Sequence, residues 1–411
     1  MELYRMRRSP FKEPRIENIL ESVELALLQM GGGERIKPGD RIAITVGSRG
    51  LAHYLEIIRA IVQWVKDCGG RPFLVPAMGS HGGGTVKGRL NVLAHLGITS
   101  ENTGAPIEDG EDVVEVGKVE NLPIFIDSRA AAADGIILVN RIKPHTVFHG
   151  RYESGLVKML VVGLGKVPGA TAFHAQPVER LAQFLENMGR AMLQRLPIIG
   201  GVALVENSED EIALLEGIPS NQIMEREPVL LQRARELMPR LPFTNADILI
   251  VDEMGKNFSG TGLDTNIIGR FSVEGNFDSK EQPAKRIFVR ALSPASEGNA
   301  NGVGLADFIT KRLALAIDRK TTYLNALTTG FLKRVMLPLI FDTDYEALQA
   351  AAQSLKKELK ECSLAWIPNT LHLREILVTA NLVAECQQNG YQEVDRQEMR
   401  FDSENNLISL W

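Results

Sequence analysis

Arg41-Ile42-Ala43-Ile44-Thr45-Val46-Gly47-Ser48-Arg49-Gly50, followed by Leu51, Leu55, Ile58, Ile61, Val62 and Val65, decides the fold class of this chain. A short run rich in β-branched residues breaks at Gly47–Gly50. Apolar residues then recur at helical spacing until Gly69-Gly70 supplies a stop, which reads as strand, loop and helix. The unit repeats at once. Pro72-Phe73-Leu74-Val75-Pro76 is a strand, Gly79-Ser80-His81-Gly82-Gly83-Gly84-Thr85 a loop, and Val86 to about Leu96 a helix closed by Gly97. A third strand, Gly135–Val139, leads into Asn140–His145. Strands alternating with helices predict α/β structure: a mostly parallel sheet with flanking helices.

With 411 residues the chain exceeds what one core usually organises, so two domains are expected. A charged helix over Gln222–Arg240 is followed by punctuation at Pro242 and Thr244-Asn245. The strand Asp247–Val251 then opens a second α/β domain, giving an N-terminal domain over 1–243 and a C-terminal one over 244–411. Further elements expected there are the strand Arg286–Arg290, a glycine-rich loop Ser293–Gly304, a helix over Asp344–Leu359 and a late β-run Ile376–Val378. No internal repeat or low-complexity tract is present. The active site is expected in the cleft between the domains.

Hydrophobic residues make up 44% and charged residues 24%, the profile of an ordinary globular protein. A net charge of −5 leaves no basic footprint for nucleic acid. No apolar run is long enough to span a bilayer, and no apolar core follows the basic opening Met1–Pro10, so neither membrane nor secretory signal is expected. Cys68, Cys362 and Cys386 are odd in number and far apart, which fits a reduced, cytoplasmic setting. Oligomeric state is not encoded in any of this.

The chemistry concentrates between Arg141 and His174, where His145, His149, Lys158 and His174 place three of the seven histidines and a lysine in one stretch. Imidazole shuttles protons near neutral pH and ligates metals; a lysine amine can bond a cofactor. Arg49, His81 and His145 each follow a predicted strand, and open α/β sheets bind ligands beyond the carboxyl ends of their strands. Glycines around His81 let backbone approach a ligand closely. The loop Gly79–Thr85 lacks the lysine of a P-loop. Gly163-Leu164-Gly165-Lys166-Val167-Pro168-Gly169 is a weak match to G-x-G-x-x-G, with its last glycine one place late and a proline before it, a residue that the first turn of a helix can accept. Neither supports a familiar NAD or ATP site. His145 and His149 have the spacing of a zinc pair, but Pro144, Thr146-Val147 and Gly150 argue against the helix that pair needs. His53 and His95 read as structural residues of amphipathic helices, and His372 has no supporting context. The residues alone leave three functions open: a cofactor enzyme, a cofactor-binding protein without turnover, and a conventional divalent-metal isomerase or hydrolase using His81, His145 and His149.

These residues resemble the pattern of the lactate racemase family, whose members use a nickel-pincer nucleotide. Ser48-Arg49 matches the family's arginine after an early strand. Ala77-Met78-Gly79-Ser80-His81 matches A-x-G-T-H with serine for threonine. Pro144-His145, then Gly155-Leu156-Val157-Lys158, matches P-H followed by a glycine-containing stretch and a lysine, and His174 stands sixteen residues beyond Lys158, where the family has a nickel-ligating histidine. The resemblance implies racemisation or epimerisation of a 2-hydroxy acid by hydride transfer to nickel-bound pyridinium-3,5-bisthiocarboxylic acid mononucleotide. It implies His81 and His145 as the acid–base pair and Arg49 as the holder of the substrate carboxylate. It further implies Lys158 as the tether, Ser48, Arg49, Gly155 and Gly165 beside the cofactor, and His174 as the nickel ligand. The match covers Arg41 to Pro177 and is looser beyond. The stretch from His145 to Lys158 is about three residues longer than in the lactate enzymes, and an aspartate before the family's arginine is replaced near Val46. The family's D-x-N-x-Y-Q segment begins at Asp264-Thr265-Asn266 but loses its tyrosine and glutamine, so Arg270 or Lys256 would replace the substrate-contacting lysine that follows it. A substrate other than lactate, larger or carrying an added polar group, is therefore expected.

Overall fold

A computed structural model describes residues 1–8, 13–273, 278–279 and 282–411 of the chain. The chain divides into two compact units, Lys12–Met238 and Met1–Phe11 with Pro239–Trp411. The division at 238/239 lies near the expected boundary, but the opening of the chain belongs elsewhere than in a 1–243 domain. The strand Glu2–Arg8 pairs antiparallel with Glu375–Val378 on one side and Tyr391–Glu398 on the other. Its Leu3 and Met6 are buried there. Partners this far along the chain leave no local trace in the sequence.

The first unit holds a five-stranded sheet in the order Arg71–Pro76, Arg41–Val46, Gly135–Arg141, Ile198–Glu206, Ile212–Pro219. The first four strands are parallel and the last is antiparallel. Ile42–Val46 are all buried, the near-continuous apolar run of a strand covered on both faces. The helix Tyr54–Asp67 buries Ile57, Ile58, Ile61, Val62 and Val65, an apolar stripe at helical spacing. The second loop leads into the helix Val86–His95. A hairpin, Val113–Val119 with Leu122–Asp127, forms a separate two-stranded sheet.

The second unit holds an eight-stranded sheet. Leu339–Phe341, Phe308–Thr310, Ala284–Leu292, Ala246–Met254 and Leu364–Ile367 run parallel in that order, and Glu375–Val378, Glu2–Arg8 and Tyr391–Glu398 complete it antiparallel. Both units are thus α/β with mostly parallel sheets and flanking helices. The expected charged helix spans Ile223–Leu237, and the helix expected from Asp344 ends at Ser354.

One irregularity bears on the site. A helix begins at Leu156–Lys158, continues as a π-helical turn over Met159–Gly163, and then bends by 106° into the helix Lys166–His174. Pro168 stands in the first turn of that second helix. π-turns are rare and cluster at functional sites. No single helix among the described residues is long and apolar enough to cross a membrane.

Candidate active site

The strand Arg41–Val46 lies between Arg71–Pro76 and Gly135–Arg141. Its carboxyl end continues into Ser48-Arg49, while its two neighbours continue into the His81 loop and the His145 loop. The chain passes from one neighbour across to the other, so this is a topological switch point of the sheet. Ser48 Oγ hydrogen-bonds His81 Nδ1. Lys158 Nζ lies 2.7 Å from His145 Nε2. The charge of Arg49 acts on Lys158, and that of Lys158 acts on His174. Six residues singled out in the sequence, Ser48, Arg49, His81, His145, Lys158 and His174, are therefore gathered within one unit.

The His145 loop is organised by Glu153, whose side chain is fully buried. Its Oε2 accepts the His145 N–H at 2.6 Å and its Oε1 the Gly150 N–H at 3.1 Å. His149 Nδ1 lies 3.2 Å away and Arg235 donates at 2.5 Å. Burial pushes this carboxyl up, but the His149 bond and the backbone donors of His145 and Gly150 hold it below its ordinary value. His149 is exposed and serves this hub.

The tautomer of His145 follows from its partners. The Val147 N–H donates to Nδ1 at 3.1 Å, so the proton of a neutral imidazole sits on Nε2. That N–H faces Lys158, whose Nζ can accept it only as a neutral amine. The ammonium form of Lys158 is correspondingly weakened: burial first, then the Arg49 and Lys143 charges, push its pKa down to about 8. The Arg49 guanidinium is itself pushed down, by burial and then by Arg141. Arg49 keeps solvent access, so this burial is crowding by surrounding protein rather than enclosure. Arg141 pairs with Glu206, whose carboxyl burial raises despite that partner. Arg49, Arg141, Lys143 and Lys158 thus lie close enough for their charges to act on one another, an environment that suits an anion.

His174 is pushed down to about 4 by burial and then by Lys158, so it is a neutral imidazole. Its Nδ1 is buried and makes no hydrogen bond. Buried polar atoms without a partner are uncommon, and a metal ion is one partner an imidazole nitrogen takes. Among the described residues no three His, Cys, Asp or Glu side chains assemble into a metal cage. The chain thus offers a metal a single imidazole beside a desolvated lysine and a cationic rim. That set fits a metal whose remaining ligands arrive with an anionic organic cofactor.

Other sequence candidates have internal tasks. A Cβ on Gly155 would lie 2.4 Å from Glu227 Oε1, and one on Gly165 2.6 Å from the Val161 carbonyl, so packing alone accounts for both glycines. Arg270, in the second unit, donates to Asp307, to the Leu305 and Lys285 carbonyls and to Gln282. Four acceptors give it a structural role. Lys256, in the same unit, donates to the Gly260 carbonyl and to Asn325. His53 does not lie inside a helix: it precedes Tyr54–Asp67 in a left-handed conformation, paired with Glu56 at 2.9 Å. His372 contacts Asn369 and packs edge-on to Phe258. Sequence reasoning missed Arg141, Lys143, Glu206 and Arg235. The alternation Arg141-Ile142-Lys143 before Pro144-His145 was a readable sign for the first two. Arg235 reaches Glu153 across 82 residues, and nothing local announces it.

No protein-family model matches the chain, and no curated protein matches its sequence. Among solved structures, the lactate racemase apoprotein from Thermoanaerobacterium thermosaccharolyticum superposes with a TM-score of 0.55 at 15% identity, covering 90% of this chain and 98% of that one. Likeness at that identity is likeness of fold.

Proposed function

We propose that this chain is an isomerase that racemises or epimerises a 2-hydroxy acid with a nickel-pincer nucleotide held at the carboxyl ends of Arg71–Pro76, Arg41–Val46 and Gly135–Arg141. The observation that carries the reading is the half-buried, neutral His174 with its buried and unbonded Nδ1, beside a lysine whose amine is already weakened as a base. His174 would ligate nickel, an imidazole donor suited to that metal. Lys158 would hold the cofactor through Nζ, and Arg49 with Lys143 would balance its negative charge. Bound there, the cofactor supplies an electron sink that amino-acid side chains lack, which spares the enzyme from ionising a weakly acidic carbinol C–H.

The chain's own part is binding and proton transfer. Arg49 binds the substrate carboxylate by a charge-assisted pair. His81 and His145 come from strands on opposite sides of the Arg49 strand, an arrangement suited to serving both enantiomers: one takes the hydroxyl proton while the other returns it. Ser48 orients His81 through Nδ1. His145 Nε2 is engaged by Lys158; bonding Lys158 through Nζ removes that acceptor and releases Nε2 toward substrate. The lost tyrosine and glutamine after Asp264 favour a substrate other than lactate.

The test is protein made in a host that synthesises the cofactor. Expected are one nickel per chain, an adduct mapped to Lys158, and interconversion of enantiomers in a panel of lactate, malate, 2-hydroxyglutarate, phenyllactate and aldonic acids. Adduct and nickel without turnover would leave a binding protein. Turnover with zinc or manganese and no adduct would overturn the reading in favour of a conventional metal enzyme.

A further inference from the structure

The loop that carries His81 is poorly equipped to hold itself. Gly79, Gly82, Gly83 and Gly84 all have positive φ, and backbone of this kind loses much entropy on ordering. Its internal bonds are short-range: the His81 N–H to the Met78 carbonyl, the Gly84 N–H to the His81 carbonyl, and the Thr85 N–H and hydroxyl to the Gly82 carbonyl. Besides the Ser48 bond to His81, it is gripped at its two ends. At Pro76, where the preceding strand stops, the carbonyl accepts from Lys166 Nζ at 2.7 Å. At Gly84 the carbonyl accepts from Arg89 Nη1 at 3.0 Å. Both cations then converge on one carboxylate. Arg89 Nε reaches Asp109 Oδ2 at 2.8 Å and Lys166 Nζ reaches Asp109 Oδ1 at 2.7 Å. Asp127 Oδ2 completes the charge balance at 3.3 Å from Lys166.

All four side chains are buried, with at most 2% exposed. Buried ion pairs are weak devices for stability, because desolvation offsets their attraction; their better-attested use is to fix one geometry. A second sign points the same way. Lys166 has φ +52, a left-handed backbone on a long side chain. Such strain persists only where the surroundings over-determine it. Lys166 is also the first residue of the helix that ends at His174. The Gly79 N–H donates to the Gly163 carbonyl, so the loop lies directly against the segment leading into that helix.

We propose that Asp109 is a positioning residue: the carboxylate shared by Arg89 and Lys166 sets the His81 loop against the helix that carries His174. The inference rests on His81 as a proton-transferring group, but its test does not need turnover. The variants are Lys166→Gly and Asp109→Asn. Glycine tolerates the left-handed conformation at 166, which favours folding at that turn, while it removes the whole buried side chain, amine and stem together. If Lys166 merely fills a tight turn, Lys166→Gly leaves the His81 loop as it was. With Asp109 as the organiser, amide exchange over Gly79–Gly84 accelerates roughly tenfold or more in both variants. The His81 imidazole resonances also shift, while those of His53 and His372 stay. In loaded enzyme kcat falls by about ten- to a hundredfold at little-changed KM. Rescue of exchange protection by Lys166→Arg, which restores a cation, supports the brace. Wild-type exchange and unmoved His81 resonances in folded Lys166→Gly or Asp109→Asn protein would overturn it. If the wild type shows no racemisation at all, the function fails while the exchange data still judge the brace.

Discussion

The carboxyl ends of the parallel strands look alike in the two units and are opposite in charge logic. In the second unit Arg290 meets Asp252 at 2.5 Å and Asp344 at 2.8 Å. Burial pushes its guanidinium down, and the two carboxylates more than reverse that. In the first unit Arg49, in the loop after Arg41–Val46, is pushed down both by burial and by a neighbouring cation. Arg290 is balanced by its carboxylate partners. Arg49 lies among cations that disfavour its charge, and a group so perturbed is a candidate for function. Under the proposed function the first sheet carries the chemistry, while Arg290 ties the second sheet to Asp252 and Asp344.

The harshest way to break this contrast is through the histidines. His81→Ala and His145→Ala are each expected to lower kcat by about 10²–10⁴-fold, the usual contribution of a positioned acid or base, with nickel retained. His372→Ala, in the second unit, should leave kcat within about twofold, because a residue without a role in chemistry has no barrier to raise. Metal analysis and steady-state rates on the three variants decide it; a matching collapse in His372→Ala would erase the distinction.

Arginine removal should divide the units by stability. Arg290→Met takes one cation from the buried Asp344, which keeps Arg312, and from the half-buried Asp252, which keeps Trp366, and is expected to cost roughly 3 kcal/mol in urea unfolding. Arg49→Met removes a charge that its neighbours disfavour, so the unliganded protein should unfold at the same or higher denaturant, while substrate KM rises by about ten- to a hundredfold with the lost charge-assisted pair. Equal destabilisation by both would mean that Arg49 is structural.

What the sequence disclosed follows from range. The strand Arg41–Val46, the helix Tyr54–Asp67 and the residues at strand ends are local patterns, and topology alone delivers Arg49, His81 and His145 to one end of the sheet. The placement of Glu2–Arg8 and the reach of Arg235 to Glu153 depend on partners many residues away. So does the sharing of Asp109 by Arg89 and Lys166. Arg270 shows the converse: motif position suggested a substrate contact, and only coordinates reveal Asp307 and three further acceptors already in place.

A pH experiment sharpens the comparison further. In the first unit Glu227 is fully buried, accepts the Val157 N–H at 2.9 Å, and is pushed up to about 7 by burial. The folded state therefore binds its proton more tightly than the unfolded chain does. The stability linked to that proton is present below about pH 4.5 and is lost as pH rises through 7, a loss of about 3 kcal/mol from the span of the shift. Asp247 in the second unit has the opposite sign. Lys357 and Lys285 outweigh its burial and hold it well below the usual carboxylate range, so its contribution is present at neutral pH and lost in acid. Glu227→Gln should gain stability at pH 8 and little at pH 4, whereas Asp247→Asn should lose stability at pH 7. Parallel pH profiles for the two variants would contradict the assignment.

The smallest effect concerns Lys158. Its amine should react with an acylating probe along a titration centred at about 8, while Lys311 of the second unit, held above its ordinary value by Asp342, should react only at higher pH. Burial is the largest cause for Lys158, and Arg49 and Lys143 follow. Arg49→Met should therefore return only part of the shift. His145→Gln tests the tautomer argument separately. With Nδ1 accepting from Val147, the wild-type imidazole donates Nε2–H to a neutral Lys158 amine and so lowers the cost of neutrality. A glutamine that presents its carbonyl to Lys158 favours the ammonium form instead, and the labelling midpoint should rise. A midpoint that falls in His145→Gln would reverse the direction of the hydrogen bond, making Lys158 the donor and His145 Nε2 the acceptor before any ligand is bound.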